Sequence, residues 1–213
     1  MADRMPTQGL YAVTDSQLLP DERIVDAVEQ ALAGGAVMIQ YRDKRSDHEQ
    51  RRAIAQQLVT ICQRWQRPLI VNDDVALAQQ VGAAGVHLGL EDTMPEQARQ
   101  ILGPQAIIGV TCHGDFERAR DQADGTADYL AFGRFFPSLT KGTASPASAD
   151  VLGQAATLGL PRVAIGGITT DNAPHLIQAG ADLIAVINGL FSAPDIEARA
   201  REFTQLFATG VSS

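Results

Sequence analysis

Cysteine and lysine are both scarce in this chain of 213 residues: the cysteines are Cys62 and Cys112, the lysines Lys44 and Lys141. Two isolated thiols exclude a disulfide framework and a thiolate metal site, and they fit a reducing, cytoplasmic compartment. Positive charge is short as well. Lys plus Arg is 17 against 25 for Asp plus Glu, a formal net charge of −8. That balance excludes nucleic acid or an anionic membrane as a bulk partner, although a few local cations can still hold a small anion. No stretch approaches the roughly 18 consecutive apolar residues of a membrane span. Residues 1–9 lack the apolar run of a signal peptide. No Pro/Ser-rich linker or block of like charge divides the chain. The length and 45% hydrophobic content suit one domain with a full core, with residues 1–8 and 209–213 expected to be loose.

What is present is a repeat of short apolar run, polar turn and amphipathic stretch. The apolar runs are 9–13, 37–40, 68–71, 85–88, 107–110, 129–132, 162–165 and 183–187. Most are too short for helices and are rich in Val and Ile, so they read as strands buried on both faces. Between them lie helical patterns around 24–32 and at about 47–64, 75–81, 95–102, 115–123, 147–158, 172–179 and 195–207. Ile24, Val28 and Leu32 show the spacing, and Gly34-Gly35 supplies a stop. Asp21, Ser46-Asp47, Asp74, Thr93 before Pro95, and Asp171 are candidate caps. Strict alternation predicts a parallel sheet with right-handed crossovers. Eight units in this length fit a single (β/α)8 TIM barrel better than an open doubly wound sheet.

Barrel chemistry sits where strands end and βα loops begin. Gln40, Arg42 and Lys44 place three donors on alternate residues after the second strand. Asp73 and Asp92 end adjacent strands, and paired carboxylates without a Cys cluster suit Mg²⁺; as a bland alternative, Asp92 caps the next helix. Gly166-Gly167 after the seventh strand and Asn188-Gly189 after the eighth suit a phosphate cup, or else only a tight turn. The long irregular stretch 133–146 is a candidate lid. In it, Ser138, Thr140 and Lys141 offer two hydroxyls and an ammonium, while Phe135-Phe136 are expected to pack on the rim. His87 is read as a satisfied core imidazole and Cys112 as a structural thiol. His113, more exposed, is a weaker candidate base.

The ordered set Gly9-Leu10-Tyr11-Ala12-Val13-Thr14-Asp15, Gln40-Tyr41-Arg42-Asp43-Lys44, Asn72-Asp73-Asp74, His87-Leu88-Gly89 with Asp92, Ser138-Leu139-Thr140-Lys141 and Gly166-Gly167-Ile168 resembles the thiamine phosphate synthase family. The resemblance runs from Gly9 to about Phe191 and implies condensation of hydroxymethylpyrimidine diphosphate with a thiazole phosphate, releasing diphosphate. It implies that Gln40, Arg42, Lys44, Asn72, Thr111 and Lys141 contact the pyrimidine diphosphate, with Tyr41, Asp43 and Leu139 in the same contact segments. Arg42, Lys44 and Lys141 would carry the catalytic charge. Asp73 and Asp92 would hold one Mg²⁺, and Ser138, Thr140, Gly167, Ile187 and Asn188 the thiazole phosphate. Thr111 and Asn188 stand where the family often has Ser, and Leu90 where it usually has Gln. A thiazole tautomerase on the same barrel and a non-catalytic thiamine phosphate sensor are the rival expectations. The partners are small molecules, and a homo-oligomer is left open.

Overall fold

Eight strands alternate with helices in the computed structural model, which describes residues 5–137 and 146–209. The strands are β1 (Gly9–Val13), β2 (Met38–Tyr41), β3 (Leu69–Asn72), β4 (Gly85–Leu88), β5 (Ile107–His113), β6 (Tyr129–Phe132), β7 (Arg162–Ile165) and β8 (Leu183–Val186). They pair in parallel in chain order and β8 returns to β1, so the sheet closes into the expected (β/α)8 barrel. Its helices are α1 (Asp21–Ala33), α2 (His48–Arg64), α3 (Val75–Val81), α4 (Pro95–Leu102), α5 (Phe116–Ala123), α6 (Asp150–Ala155), α7 (Ala173–Gln178), α8 (Asn188–Phe191) and α9 (Ile196–Thr209). A single 3-10 turn, Ala156–Leu158, continues α6.

The period of two along each strand sorts side chains into two cores. Tyr11, Val13, Met38, Ile70, Ile107, Tyr129, Val163 and Leu183 pack together inside the barrel. Leu10, Ala12, Ile39, Tyr41, Val71, Leu130, Phe132 and Ile184 pack with the helices in a second layer. Helix α1 buries Ile24, Ala27, Val28, Ala31 and Leu32, one stripe at helical spacing. Gly34 does more than stop that helix. A Cβ there would lie 2.4 Å from the Ala200 Cβ, so glycine lets α9 close against the end of α1.

Several boundaries differ from the sequence reading for local reasons. Asp47 and Asp74 do cap, accepting the Gln50 and Leu77 N–H groups. Asp21 is instead the first residue inside α1, behind Pro20. Met94 precedes α4 in place of Thr93 and Asn172 precedes α7 in place of Asp171, neither with a side-chain cap bond. Strand β5 runs past Val110 to His113 through an irregularity in its pairing with β6. Helix α6 begins at Asp150, three residues after the expected 147. The four-residue α8 had no periodic signal to announce it. At the termini, Met5 packs against the barrel interior and Thr209 is the last residue of α9. Residues 1–4 and 210–213 lie outside the described residues.

Candidate active site

All eight strands open their C-terminal ends at one mouth, and β1 and β2 build its first wall. The Thr14 Oγ1 accepts the Arg42 N–H at 2.9 Å, while the Thr14 N–H donates to the Gln40 carbonyl. This zip brings Asp15 to Arg42, whose Nη1 donates to Oδ2 at 2.6 Å, with side-chain exposures of 18% for Arg42 and 6% for Asp15. The sequence showed Asp15 in the loop but gave it no task. Lys44 reaches the next loop, its Nζ 3.5 Å from the Asp73 Oδ2. The alternate donors expected on one side therefore part company once the strand ends: Gln40 enters the barrel, Arg42 joins Asp15, and Lys44 joins Asp73.

Two residues of this segment already have partners within the protein. Tyr41 is buried in the layer between barrel and helices, its hydroxyl 3.2 Å from the Asp43 Oδ2. The Asp43 carboxylate is spent on its own loop, accepting the Arg45 and Ser46 N–H groups. Burial opposes the Asp43 charge, but those hydrogen bonds outweigh it and hold the carboxyl down at about 2. Its contribution to stability is full above the ordinary value of 3.8 and is lost as pH falls through about 2. Acid titration followed by circular dichroism should show a drop in wild-type stability over that window. Asp43→Asn should lack that part of the slope.

The second wall comes from β3 and β4. Asn72 ends β3, and Asp73 follows with φ of 63°, a left-handed conformation rare outside glycine. Its carboxyl lies within hydrogen-bonding reach of the Asp92 carboxyl. Burial, then the hydrogen bond and charge of Asp92, push the Asp73 pKa up, against the opposing pull of Lys44. Asp92 does not cap α4. Its Oδ2 accepts the Gly89 N–H at 2.6 Å, and a Cβ on Gly89 would sit 2.8 Å from that oxygen, so a side chain there would displace the carboxylate from its present place. Two carboxyls held in contact by separate turns form a ready pair of hard oxygen ligands. No group of three or more His, Cys, Asp or Glu side chains suited to a metal occurs among the described residues, so water or ligand oxygens would complete the shell. A cavity of about 570 Å³ opens beside the pair, with Lys44, Arg51, Asn72, Asp73 and Thr93 on its walls.

The floor is polar. Gln40, on β2, is buried and donates from Nε2 to the Tyr11 hydroxyl; Thr111, on β5, meets the His87 Nε2 at 2.9 Å. His87 is thus the satisfied imidazole expected. His113 is exposed, and its carbonyl accepts the Gly133 N–H. Cys112 is buried among apolar side chains, and burial pushes its thiol up to about 12, which fits a structural role.

On the far wall, Gly166 and Gly167 have φ of 109° and 66°. A Cβ on Gly167 would lie 2.5 Å from the Pro137 carbonyl oxygen, and one on Gly166 2.6 Å from the Arg134 Cγ. The tandem glycines therefore admit the loop after β6, on which Phe135 and Phe136 pack against the outer core. Ile187 packs against the barrel-interior cluster, and Asn188 opens α8 directly after β8. Ser138, Leu139, Thr140 and Lys141 lie outside the described residues.

The model of the thiamine monophosphate synthase family matches residues 10–190. The chain belongs to this family. It is 55% identical over 202 residues to a thiamine-phosphate synthase of Marinobacter nauticus, covering 94% of this chain and 91% of that one. It is 50% identical over 201 residues to a thiamine-phosphate synthase of Nitrosococcus oceani, covering 94% and 93%. Among solved structures, the thiamine phosphate pyrophosphorylase of Pyrococcus furiosus superposes with a TM-score of 0.87 at 33% identity, covering 97% and 98%. A 3-hexulose-6-phosphate synthase at 15% identity and a TM-score of 0.68 shares the fold alone. As a thiamine monophosphate synthase family member, the chain combines the acidic pair with Lys44, Arg42 and a polar floor at one mouth. The residues the sequence left without a role are Asp15, Tyr11 and Tyr129. Register alone carried a signal for Asp15, because Val13 pairs with Gln40 and so sets Asp15 level with Arg42.

Proposed function

We propose that the protein condenses hydroxymethylpyrimidine diphosphate with a thiazole ethyl phosphate to give thiamine phosphate and diphosphate. The observation that carries this reading is the contact between the Asp73 and Asp92 carboxyls with Lys44 beside them, on the rim that also holds Arg42. Two like charges in contact are unfavourable unless a proton or a cation intervenes, and hard oxygens favour Mg²⁺. Asp73 and Asp92 would hold that ion, which when bound would neutralise charge developing on the diphosphate.

The methylene C–O bond breaks, and the electron pair leaves with the diphosphate. The aminopyrimidine ring donates electron density to the carbon left behind, and the thiazole nitrogen then supplies its lone pair to form the new C–N bond. A carboxylated thiazole would next lose carbon dioxide. Arg42, with its planar fork, and Lys44, as a point charge, bind the leaving oxygens. The same role for Lys141 is supported by the likeness of its segment to the family. No nucleophilic side chain is required, so the protein's main contributions are positioning, fixed charge and exclusion of water. The glycines after β7 and the first turn of α8 suit the thiazole phosphate, with Gly167, Ile187 and Asn188 as its contacts, and the resemblance of their segment supports the same role for Ser138 and Thr140. No helix among the described residues is long and apolar enough to cross a membrane. Cys62 and Cys112, both buried, form no disulfide with one another, and this supports the cytoplasmic assignment.

Purified protein given both substrates should form thiamine phosphate and diphosphate in equal amounts, and only with a divalent cation. Isomerised thiazole phosphate without coupling, or binding without turnover at any Mg²⁺ concentration, would overturn the reading.

A further inference from the structure

An unbroken hydrogen-bonded row crosses the barrel beneath the mouth, and nothing in the condensation itself uses its middle members. The Gln40 Nε2 donates to the Tyr11 hydroxyl at 2.7 Å. The Tyr11 and Tyr129 hydroxyls are 2.9 Å apart. The Tyr129 hydroxyl is 2.9 Å from the His87 Nδ1, and the His87 Nε2 is 2.9 Å from the Thr111 Oγ1. The backbone is shaped to admit this row. His87, Gly109 and Tyr129 pair across β4, β5 and β6, and a Cβ on Gly109 would lie 1.9 Å from the Tyr129 Cζ. Glycine there lets the phenol ring lie in the barrel, stacked on His87 at 5.6 Å and edge-on to Tyr11 at 6.0 Å.

Each hydroxyl has one hydrogen, which makes the row directional. With the Gln40 amide donating, the Tyr11 hydrogen goes to Tyr129 and the Tyr129 hydrogen to the Nδ1 lone pair. A neutral His87 then carries its proton on Nε2 and donates to Thr111. The Thr111 hydrogen stays outside the row, as does the Gln40 carbonyl oxygen. Burial pushes both phenols well above their ordinary pKa, so neither loses the hydrogen on which the sequence depends. With the Gln40 amide still donating, reversing the Tyr11–Tyr129 bond would leave the buried Tyr11 hydrogen without an acceptor in the row, so a fully paired reversal needs every bond to turn, including the Gln40 amide.

We propose that Tyr11, Tyr129 and His87 are positioning residues that lock one hydrogen-bond polarity between Gln40 and Thr111, so that the site accepts a ligand donor at Gln40 and gives a donor at Thr111. Resting on the function proposed above, this selects an aminopyrimidine, whose amino group donates and whose ring nitrogens accept. A 4-oxo analogue, with an acceptor where the amino group was, meets the Gln40 carbonyl unfavourably.

Nitrogen-15 NMR of the imidazoles in the ligand-free protein tests the lock without any substrate. His87 is expected as the neutral Nε2–H tautomer, and Tyr129→Phe should populate both tautomers. Steady-state kinetics then compare pyrimidine diphosphate with its 4-oxo analogue. The wild-type preference in kcat/KM should fall by about tenfold or more in Tyr129→Phe, with Tyr11→Phe as the second variant should the first not fold. An Nδ1–H tautomer or an imidazolium in the wild type would overturn the proposal. So would an unchanged preference in a folded variant. Absence of synthase turnover with the Nε2–H tautomer observed would instead count against the functional reading and leave the lock supported.

Discussion

Asp73→Asn is expected to remove turnover while leaving the barrel as stable as before, or more so. Asparagine keeps the size of aspartate and tolerates the left-handed backbone at this position, where φ is 63°. What it loses is one of two carboxylates in mutual contact. Their repulsion is relieved, so thermal melting should hold or rise. On the proposed function, however, half of the carboxylate ligand set for the divalent cation is lost, and with it the charge that would offset the departing diphosphate. The loss in kcat/KM should reach about a thousandfold, the scale on which electrostatic stabilisation of a leaving group acts. Kinetics over a Mg²⁺ series together with a melt separate the two effects. Wild-type Mg²⁺ dependence in this variant would show that Asp73 is not a ligand.

Arg42→Ala should be the most damaging change on the opposite wall, because it acts on two counts. It removes the cation that the proposed function assigns to the diphosphate, and it leaves the Asp15 carboxylate, whose side chain is only 6% exposed, without its partner. An orphaned buried charge of this kind costs about 3 kcal/mol, reduced somewhat by the 18% exposure of the Arg42 side chain. That same carboxylate then repels the substrate. A loss of about a hundredfold or more in kcat/KM is expected. Adding Asp15→Ala should restore much of the stability, measured by urea unfolding, yet little of the activity. A double variant no more stable than Arg42→Ala would mean that the pair contributes nothing to the fold.

Most of the architecture was legible because it rests on local signals. Short Val- and Ile-rich runs alternate with amphipathic stretches, and most runs contribute to both cores through the period of two, while Val86 and Leu88 of β4 join a smaller cluster with Val75, Ala98 and Ile108. Helix α8 escaped notice because four residues carry no period. At the site, the paired carboxylates were legible from their places at adjacent strand ends. The status of individual side chains was not. Tyr41 and Asp43 stand inside the motif, yet the first turns outward and the second serves its own loop. Arg42 met its counter-ion 27 positions away, and the row from Gln40 to Thr111 joins five strands. Such pairings depend on which strands become neighbours, a tertiary outcome that no residue announces in its own vicinity.

The claim on which the chemistry turns is that the β3 and β4 loops hold a divalent cation for the diphosphate. A crystal grown with Mn²⁺ and diphosphate tests it directly through anomalous scattering. A peak coordinated by Asp73, Asp92 and diphosphate oxygens, with Arg42 and Lys44 on the same diphosphate, is the expected result. Diphosphate bound at the mouth with no metal peak at the two carboxylates, or metal bound elsewhere, would contradict it.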